Sequence, residues 1–226
     1  MGTGPAVFHC LDARIGVTIW SERATAEGNV NSTALCTQGL VAVGTNEKTL
    51  VAFEQGSGRL VWREELSGPC THELLNYGGL IAAPSHSLTL HSPETGQQEA
   101  IWSWPGESVW SIAIAGEDAL VHLTTGLLSG NPPKERAIWI NRGRPIEEGR
   151  QEISLGPVRY DPNIGRIYSS SLNRLSIIAP EKREIEWEII ETDPRRWFGA
   201  LPDSTDGILY LLGQTGRVVA LQIPVL

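Results

Sequence analysis

Lysine is scarce in this sequence of 226 residues, and basic residues as a whole are outnumbered. Only Lys48, Lys134 and Lys182 occur among the 18 basic residues, which face 26 acidic ones, and the formal net charge is −8. Proteins that bind nucleic acid neutralise its phosphates with clustered lysine and arginine. The charge balance therefore excludes a nucleic-acid partner and favours solubility and a basic partner surface.

Cysteine is also rare, and the spacing of the three cysteines fits neither a disulfide framework nor a metal site. Cys10, Cys36 and Cys70 are well separated and lie in apolar or small-residue stretches. An odd number of distant cysteines is typical neither of a disulfide scaffold nor of a metal site. We expect three buried, reduced cysteines that pack as small apolar side chains.

Long apolar runs and leader-like segments are absent from the sequence. Residues 1–5 continue directly into Ala6–Leu11, with no basic segment followed by an apolar one. The pattern predicts no membrane insertion. It also predicts a cytoplasmic protein, or a periplasmic or secreted one if a leader has been removed.

Amphipathic helical periodicity is nearly absent as well. The best candidate, Asn141–Gln151, contains proline and glycine, and we expect it to be a loop. The composition is that of a globular chain, with 41% hydrophobic and 19% charged residues. Since the remaining apolar stretches are short and bounded by turn residues, the sequence predicts an all-β fold.

A short apolar strand recurs five times along the chain. Each copy follows a glycine or an aspartate, which marks a turn. The aligned positions lie 40, 40, 47 and 42 residues apart, at Leu40, Leu80, Leu120, Ile167 and Leu209. A period near 40 residues is typical of propeller blades with four strands each.

A tryptophan follows most of these strands after a polar turn. In three copies an apolar anchor precedes the indole by nine residues, as Leu11 precedes Trp20, Phe53 precedes Trp62 and Ile178 precedes Trp187. The copy from His91 to Trp102 is two residues longer, and the copy ending at Trp139 is degenerate. A large indole at a fixed place on the outer strand predicts packing between neighbouring sheets.

Residues 39–62 carry the clearest copy, Gly-Leu-Val-Ala-Val-Gly followed by Leu-Val-Ala-Phe-Glu-Gln-Gly-Ser-Gly-Arg-Leu-Val-Trp. This pattern resembles the repeat of pyrroloquinoline-quinone-type β-propellers, and the resemblance extends from Ala6 to Ile223. The family includes quinoprotein dehydrogenases and a bacterial outer-membrane assembly lipoprotein that scaffolds a β-barrel insertase. The quinoproteins resemble the chain in repeat but use an adjacent cysteine pair, an acidic base and calcium ligands, and they have about eight blades. No adjacent cysteines occur, and five blades leave too narrow a ring for a quinone, so we expect no quinone. No other cofactor is expected either.

The repeats predict one domain over residues 1–226, a β-propeller of about five four-stranded blades, with six as the alternative. We expect the N-terminal strands to join the C-terminal ones and so close the ring. The predicted repeat strands lie near 39–66, 79–104, 118–140, 165–190 and 207–223, with a further pair in 5–23.

Binding in a propeller commonly uses the face formed by the loops that enter the innermost strands. The side chains that we predict on this face are of types enriched in binding hot spots or able to titrate: His72, Glu73, His86, Trp110, Arg159, Arg195, Arg196 and Trp197. The segment Asp193–Phe198 is the best single patch, because two arginines lie beside two aromatic residues.

The sequence contains no pattern of residues typical of a catalytic centre, a metal site or a phosphate-binding loop. His72 and Glu73 are adjacent, so in an extended segment they point to opposite sides and do not cooperate. His9, His91 and His122 lie within strands without metal-ligand spacing, and we expect core or surface histidines. The glycines of Gly56–Gly58 form a hairpin turn rather than a phosphate cradle, since no helix follows.

The sequence therefore favours a non-enzymatic binding or scaffolding propeller with a protein partner. The alternative is a small-molecule enzyme, hydrolase-like or glutaminyl-cyclase-like, with its ligand in the central channel. A third possibility is the assembly role of the lipoprotein relative, which the resemblance alone implies.

Overall fold

The computed structural model describes residues 7–23, 29–30, 32–125, 135–141, 144–145, 158–171, 174–190, 199–203, 208–212 and 218–222. All regular structure in these ranges is β-strand, which confirms the predicted all-β fold. No helix long and apolar enough to cross a membrane occurs in them. The chain divides into two compact units, Met1–Val109 and Trp110–Leu226. The single-domain assignment over residues 1–226 stays a prediction.

The first unit contains three antiparallel sheets. A two-stranded sheet is formed by β1 (Val7–Leu11) and β2 (Thr18–Arg23). The second sheet consists of β3 (Leu35–Thr37), β4 (Leu40–Gly44), β5 (Thr49–Glu54) and β6 (Leu60–Glu65). The third consists of β7 (Leu75–Tyr77), β8 (Leu80–Pro84), β9 (Ser87–His91) and β10 (Gln98–Ser103).

The second unit repeats the same antiparallel order. Its first sheet comprises β11 (Glu107–Ala115), which begins just before the unit, with β12 (Asp118–Thr125), β13 (Glu135–Asn141) and β14 (Arg144–Pro145). The next comprises β15 (Val158–Asp161), β16 (Arg166–Ser171), β17 (Arg174–Ala179) and β18 (Glu184–Ile190). The last comprises β19 (Gly199–Asp203), β20 (Ile208–Leu212) and β21 (Val218–Gln222).

The strands can be compared with the predicted repeat ranges. The ranges 39–66, 79–104 and 165–190 contain the second, third and fourth strands of their sheets, whereas 118–140 contains β12 and most of β13, and 207–223 contains β20 and β21. The pair in 5–23 corresponds to β1 and β2. Asn141–Gln151 is expected to be a loop, but Asn141 ends β13 and Arg144–Pro145 form β14. Residues 142–143 and 146–151 lie outside the described residues. The joining of the terminal sheets into one blade, and the count of five or six blades, stay predictions.

The central strands of the sheet β3–β6 are buried on both faces. Val43, Val51 and Phe53 pack against Phe8 and Trp20 of the first sheet. The alternate residues of the same strands, among them Ala42, Leu50 and Ala52, pack toward Ile81 and Ala83 of the third sheet. Because side chains of a strand alternate between its faces, two buried faces require a continuous apolar run. This is the reason for the unbroken Leu-Val-Ala-Phe stretch.

Two outer-strand tryptophans of the first unit, Trp20 and Trp62, dock on the hairpin turn of the following sheet. The Trp20 indole N–H donates to the Gln55 carbonyl at 2.8 Å, and that of Trp62 donates to the Pro93 carbonyl at 2.7 Å. The predicted role of these indoles in packing between sheets is confirmed for both. A polar indole group that enters an interface needs such an acceptor.

The second unit has two apolar cores of the same type. Trp139 lies with Ala113 and Leu120 against Ile167 and Ile178 of the next sheet. A further core joins Tyr168, Leu175 and Ile177 to Leu209, and Trp187 packs at its margin. In this unit too, an apolar core therefore lies between each pair of neighbouring sheets among the described residues.

The expectation of three buried cysteines is wrong for Cys36. Cys70 is buried and Cys10 is half-buried, but Cys36 is exposed. Cys36 is the middle residue of the three-residue strand β3, whose neighbour Leu35 packs into the core. The alternation of side chains therefore turns Cys36 away from that core.

Candidate functional site

The loop ends of the sheets in the first unit are tied together by backbone hydrogen bonds. In each four-stranded sheet of this unit, a backbone carbonyl in the turn after the second strand accepts a hydrogen bond from the chain that begins the next sheet. Cys70 N–H donates to the Thr45 carbonyl at 2.9 Å, and Val109 N–H donates to the Ser85 carbonyl at 3.0 Å. Within the first unit, these bonds hold residues 70 and 109 beside the turns that follow β4 and β8.

Hydroxyl groups fix the same end of the third sheet. Ser67 Oγ lies 2.6 Å from Ser87 Oγ and 3.2 Å from Ser85 Oγ, and Ser85 Oγ donates to the Ser87 carbonyl at 2.9 Å. Ser85 and Ser87 are only 3% and 2% exposed. Buried hydroxyls stabilise a structure only when they are hydrogen-bonded, so this cluster holds segment 67–70 against the turn.

His86 lies against this entering segment. A Cβ at Gly68 would fall 2.5 Å from Cγ of the His86 ring, so the ring is packed on the glycine backbone. His86 itself remains exposed. The ring is therefore positioned by the Gly68 backbone while the side chain stays exposed to solvent.

His72 and Glu73 belong to the same entering segment, just before β7. Glu73 is exposed, whereas His72 is half-buried. Burial lowers the pKa of the His72 imidazole below its usual value, so the ring is neutral at neutral pH. The structure thus brings His72, Glu73 and His86 to one end of the third sheet.

Trp110 and Arg159 lie in the second unit. Trp110 is half-buried on β11, and Arg159 is exposed on β15 opposite Tyr168. Their sequence neighbours are joined, because Val158 N–H donates to Ser111 Oγ at 2.9 Å. The two residues therefore flank one contact between neighbouring sheets. Arg195, Arg196 and Trp197 lie outside the described residues, and their part in the face stays a prediction.

A polar chain that the sequence analysis missed crosses three strands of the second unit. Ser111 Oγ lies 3.5 Å from His122 Nδ1, and His122 Nε2 lies 3.9 Å from Glu135 Oε2. Burial raises the pKa of the Glu135 carboxyl. His122 is only 1% exposed, and Ser111 Oγ already accepts the Val158 amide. The arrangement therefore joins two sheets. Of the two placements expected for His122, core or surface, the structure shows the core.

His91 is also a core histidine. Its Nδ1 lies 2.9 Å from the Gly96 carbonyl, and its Nε2 lies 2.9 Å from Thr89 Oγ1. Burial lowers the pKa of this imidazole, which keeps it neutral. Both ring nitrogens are thereby used in holding the turn after β9.

Asp161 and Tyr168 are the second feature that the sequence did not reveal. Asp161 Oδ2 and Tyr168 Oη are buried and lack a hydrogen-bond partner in the part of the chain that the structure describes. Burial, with the Asp161 charge nearby, raises the pKa of Tyr168 to about 12. In the same described ranges, no three His, Cys, Asp or Glu side chains come together as a metal site.

Two solved structures resemble the chain in fold. BamB from Moraxella catarrhalis superimposes with a TM-score of 0.64 and 14% identity, over 92% of this chain and 65% of that one. Sqt1 from Saccharomyces cerevisiae gives a TM-score of 0.71 and 12% identity, over 96% of this chain and 66% of that one. The chain thus spans slightly less than two thirds of either protein, and both likenesses confirm the predicted propeller fold.

Sequence comparison identifies the family. A search of curated proteins finds no match. The family model described as outer membrane protein assembly factor BamB matches residues 4–223, nearly the whole sequence. The predicted resemblance to pyrroloquinoline-quinone-type repeats is thereby confirmed, and the chain belongs to the BamB family of β-propellers.

Proposed function

We propose that the chain is a non-enzymatic scaffold that presents the loop end of its sheets to a protein partner. The observation that carries this proposal is the hydrogen-bonded loop end of the first unit, where Cys70 and Val109 tie the entering segments to the preceding turns. Such a rigid end loses little conformational entropy when a partner binds. The exposed side chains it carries, Glu73 and His86, are polar and accessible.

The proposed face extends to the arginine and aromatic residues of the second half of the chain. Arginine and tryptophan are the side chains that most often dominate binding energy at protein interfaces. We include in this face the residues that the sequence singles out: His72, Glu73, His86, Trp110, Arg159, Arg195, Arg196 and Trp197.

The family supports an assembly role for this scaffold. Its model is described as an outer membrane protein assembly factor. That description favours a periplasmic protein over the cytoplasmic one that the sequence predicts. It also agrees with a protein partner, which a broad rigid face suits better than a small molecule.

Affinity capture with paired variants tests the proposal. One variant carries Glu73→Ala and His86→Ala, and a second carries Arg195→Ala, Arg196→Ala and Trp197→Ala. The matched control carries Glu94→Ala and Gln97→Ala, two exposed residues at the opposite end of the third sheet. Each variant is first checked for an unchanged melting temperature.

If the proposed face binds the partner, the wild type and the control should both retain a cross-linked protein. Both face variants should lose that partner, by tenfold or more if they remove hot-spot contacts. Equal retention by all four proteins, or equal loss in the control, would contradict the assignment of this face. A thermal-shift screen with metabolites then addresses the channel of the enzymatic alternative.

A further inference from the structure

The two docking turns of the first unit differ in the residue that precedes them. The Trp20 turn (Glu54–Gly58) follows Phe53, whereas the Trp62 turn (Ser92–Gly96) follows His91. Both turns close through the same backbone bond, in which the last glycine N–H donates to the carbonyl of the first residue at 2.8 Å. Three other copies of the repeat have an apolar anchor at this position: Leu11, Phe53 and Ile178. An ionisable ring has taken the place of that anchor at the Trp62 turn.

The His91 ring is as deeply buried as the apolar anchor of the Trp20 turn. His91 is 1% exposed and Phe53 is 2% exposed. His91 Nδ1 lies 2.9 Å from the Gly96 carbonyl, and a carbonyl can only accept, so this nitrogen carries a proton. A Cβ at Gly96 would fall 2.7 Å from the Trp62 ring, so the indole rests on the same glycine. His91 therefore holds the residue that supports Trp62.

The second ring nitrogen suits the neutral form of His91. Because Nδ1 donates, the neutral ring accepts at Nε2, which lies 2.9 Å from Thr89 Oγ1. A protonated ring donates at both nitrogens, so the Thr89 hydroxyl would have to turn its own proton elsewhere. The Ala83 carbonyl is 3.4 Å from Thr89 Oγ1, which is long for a hydrogen bond between oxygens. Protonation of His91 therefore leaves the Thr89 hydroxyl with a weaker partner.

A positive charge on His91 is also poorly solvated. Burial lowers the pKa of this imidazole, and the Gly96 carbonyl and the Glu64 carboxylate on β6 offset that effect only in part. The turns and strands around His91 carry six other charged side chains, all of them exposed except the half-buried Glu54: Glu54, Arg59, Arg63, Glu65, Glu94 and Glu99. Glu54 lies 3.6 Å from the Arg59 guanidinium. Glu64 is thus the carboxylate that acts on the His91 ring.

We propose that His91 makes the docking of Trp62 sensitive to acid. The neutral imidazole holds the Gly96 carbonyl and keeps the turn closed. A proton on the ring places a charge in a buried site and favours an open turn, in which the indole loses its support. The Trp20 turn has Phe53 in this place, which does not titrate, so acid weakens one docking turn and leaves the other unchanged.

The direction of the effect follows from the two states of His91. Once released from the turn, the imidazole titrates near its usual pKa of 6.5, whereas in the closed turn its pKa is lower. The stability of the closed turn is therefore complete above pH 6.5 and is lost as the pH falls below that value. One proton changes the opening equilibrium by at most about tenfold per pH unit. This device is independent of the proposed loop face, which lies at the other end of the third sheet.

Amide hydrogen exchange resolved by peptide tests the device in the full chain. Exchange of residues 87–103, corrected for the intrinsic effect of pH, is compared at about pH 7.5 and about pH 5.5, a window above the usual titration range of carboxylates. His91→Phe introduces the anchor of the Trp20 turn. His91→Asn keeps an amide donor near the position of Nδ1 but does not titrate. Residues 49–59, which include the Trp20 turn, are the internal control.

In the wild type, the protection of residues 87–103 from exchange should fall roughly threefold or more on acidification. The protection of residues 49–59 should change by less than about twofold, and neither His91 variant should show the fall. Glu64→Gln removes a carboxylate that favours the protonated ring, so it should enlarge the fall. No fall in the wild type, equal falls in both peptides, or a fall that persists in His91→Asn overturns the proposal.

A nuclear magnetic resonance titration of the histidine rings keeps the proposal falsifiable if neither His91 variant folds. In the folded wild type, the His91 ring should gain its proton below pH 6.5, and the Gly96 amide should shift with the same midpoint. A His91 ring that titrates at or above pH 6.5, or a Gly96 amide that does not respond to it, overturns the proposal as well.

Discussion

Gly96→Ala is the substitution that best measures indole docking in this fold. Two costs follow from the structure. First, φ at Gly96 is +77°, a backbone conformation that costs an alanine roughly 1–2 kcal/mol. Second, the new methyl would lie 2.7 Å from Cδ2 and Cε3 of Trp62, which is 8% exposed and held by its bond to Pro93. Overpacking of this kind typically costs about 1–3 kcal/mol.

The free energy of unfolding should therefore fall by about 2–5 kcal/mol in Gly96→Ala. Gly39→Ala provides the reference, because Gly39 has the same φ of +77° but, among the described residues, no atom within 4 Å of its Cβ position. That control should show only the backbone cost of about 1–2 kcal/mol. The difference between the two variants isolates the contact with the Trp62 ring.

Urea unfolding followed by far-ultraviolet circular dichroism gives both values on one scale. The m-value should stay constant, since neither substitution changes the surface that unfolding exposes. Equal losses in the two variants would refute the reasoning, because the Trp62 ring would then have room for a methyl group. A smaller loss at Gly96 than at Gly39 would refute it as well.

Three further predictions concern single side chains. Pulse alkylation with peptide mapping at pH 8 should label exposed Cys36 rapidly and Cys70 only on unfolding, because burial raises the pKa of the Cys70 thiol to about 12. In the unfolded chain the Cys70 thiol ionises near pH 9, whereas in the folded protein it stays protonated until about pH 12. The free energy of unfolding should therefore fall as the pH rises from 9 toward 12. Urea titrations at alkaline pH should show a smaller fall for Cys70→Ala. Tyr168→Phe removes a buried hydroxyl that has no hydrogen-bond partner among the described residues. The free energy of unfolding, measured in urea, should therefore fall by less than about 0.5 kcal/mol or should rise. A fall of more than about 1 kcal/mol would show that the hydroxyl makes a hydrogen bond.

The repeat and its tryptophans were predictable because they depend on local spacing. The nine residues from Phe53 to Trp62 set the turn and the outer strand, and both occur as expected. What the sequence did not reveal is the acceptor of each indole. Pro93 belongs to the next repeat, 31 residues after Trp62, and proline has no pattern that marks its carbonyl as an acceptor.

The candidate site was predictable only in part. The position of His86 at the end of a strand follows from the repeat, but its packing on Gly68 depends on the path of a loop. The contacts among Ser111, His122 and Glu135 depend on the register of three strands, which no short motif specifies. The exposure of Cys36 was missed because composition indicates burial without indicating which side of a strand a residue takes.

Arg183 shows that a residue other than glycine can end this type of turn. Arg183 ends the turn before β18 and occupies the place of Gly58, nine residues from anchor to tryptophan in both copies. It adopts φ +56°, and its guanidinium reaches Asp118 Oδ2 at 3.1 Å. The turn therefore admits a side chain at this position, at a backbone cost of roughly 1–2 kcal/mol. At Gly58 and Gly96, by contrast, a Cβ would meet the indole of Trp20 or Trp62. Glycine is therefore required at those two positions by the contact with a neighbouring sheet, and not by the backbone conformation alone.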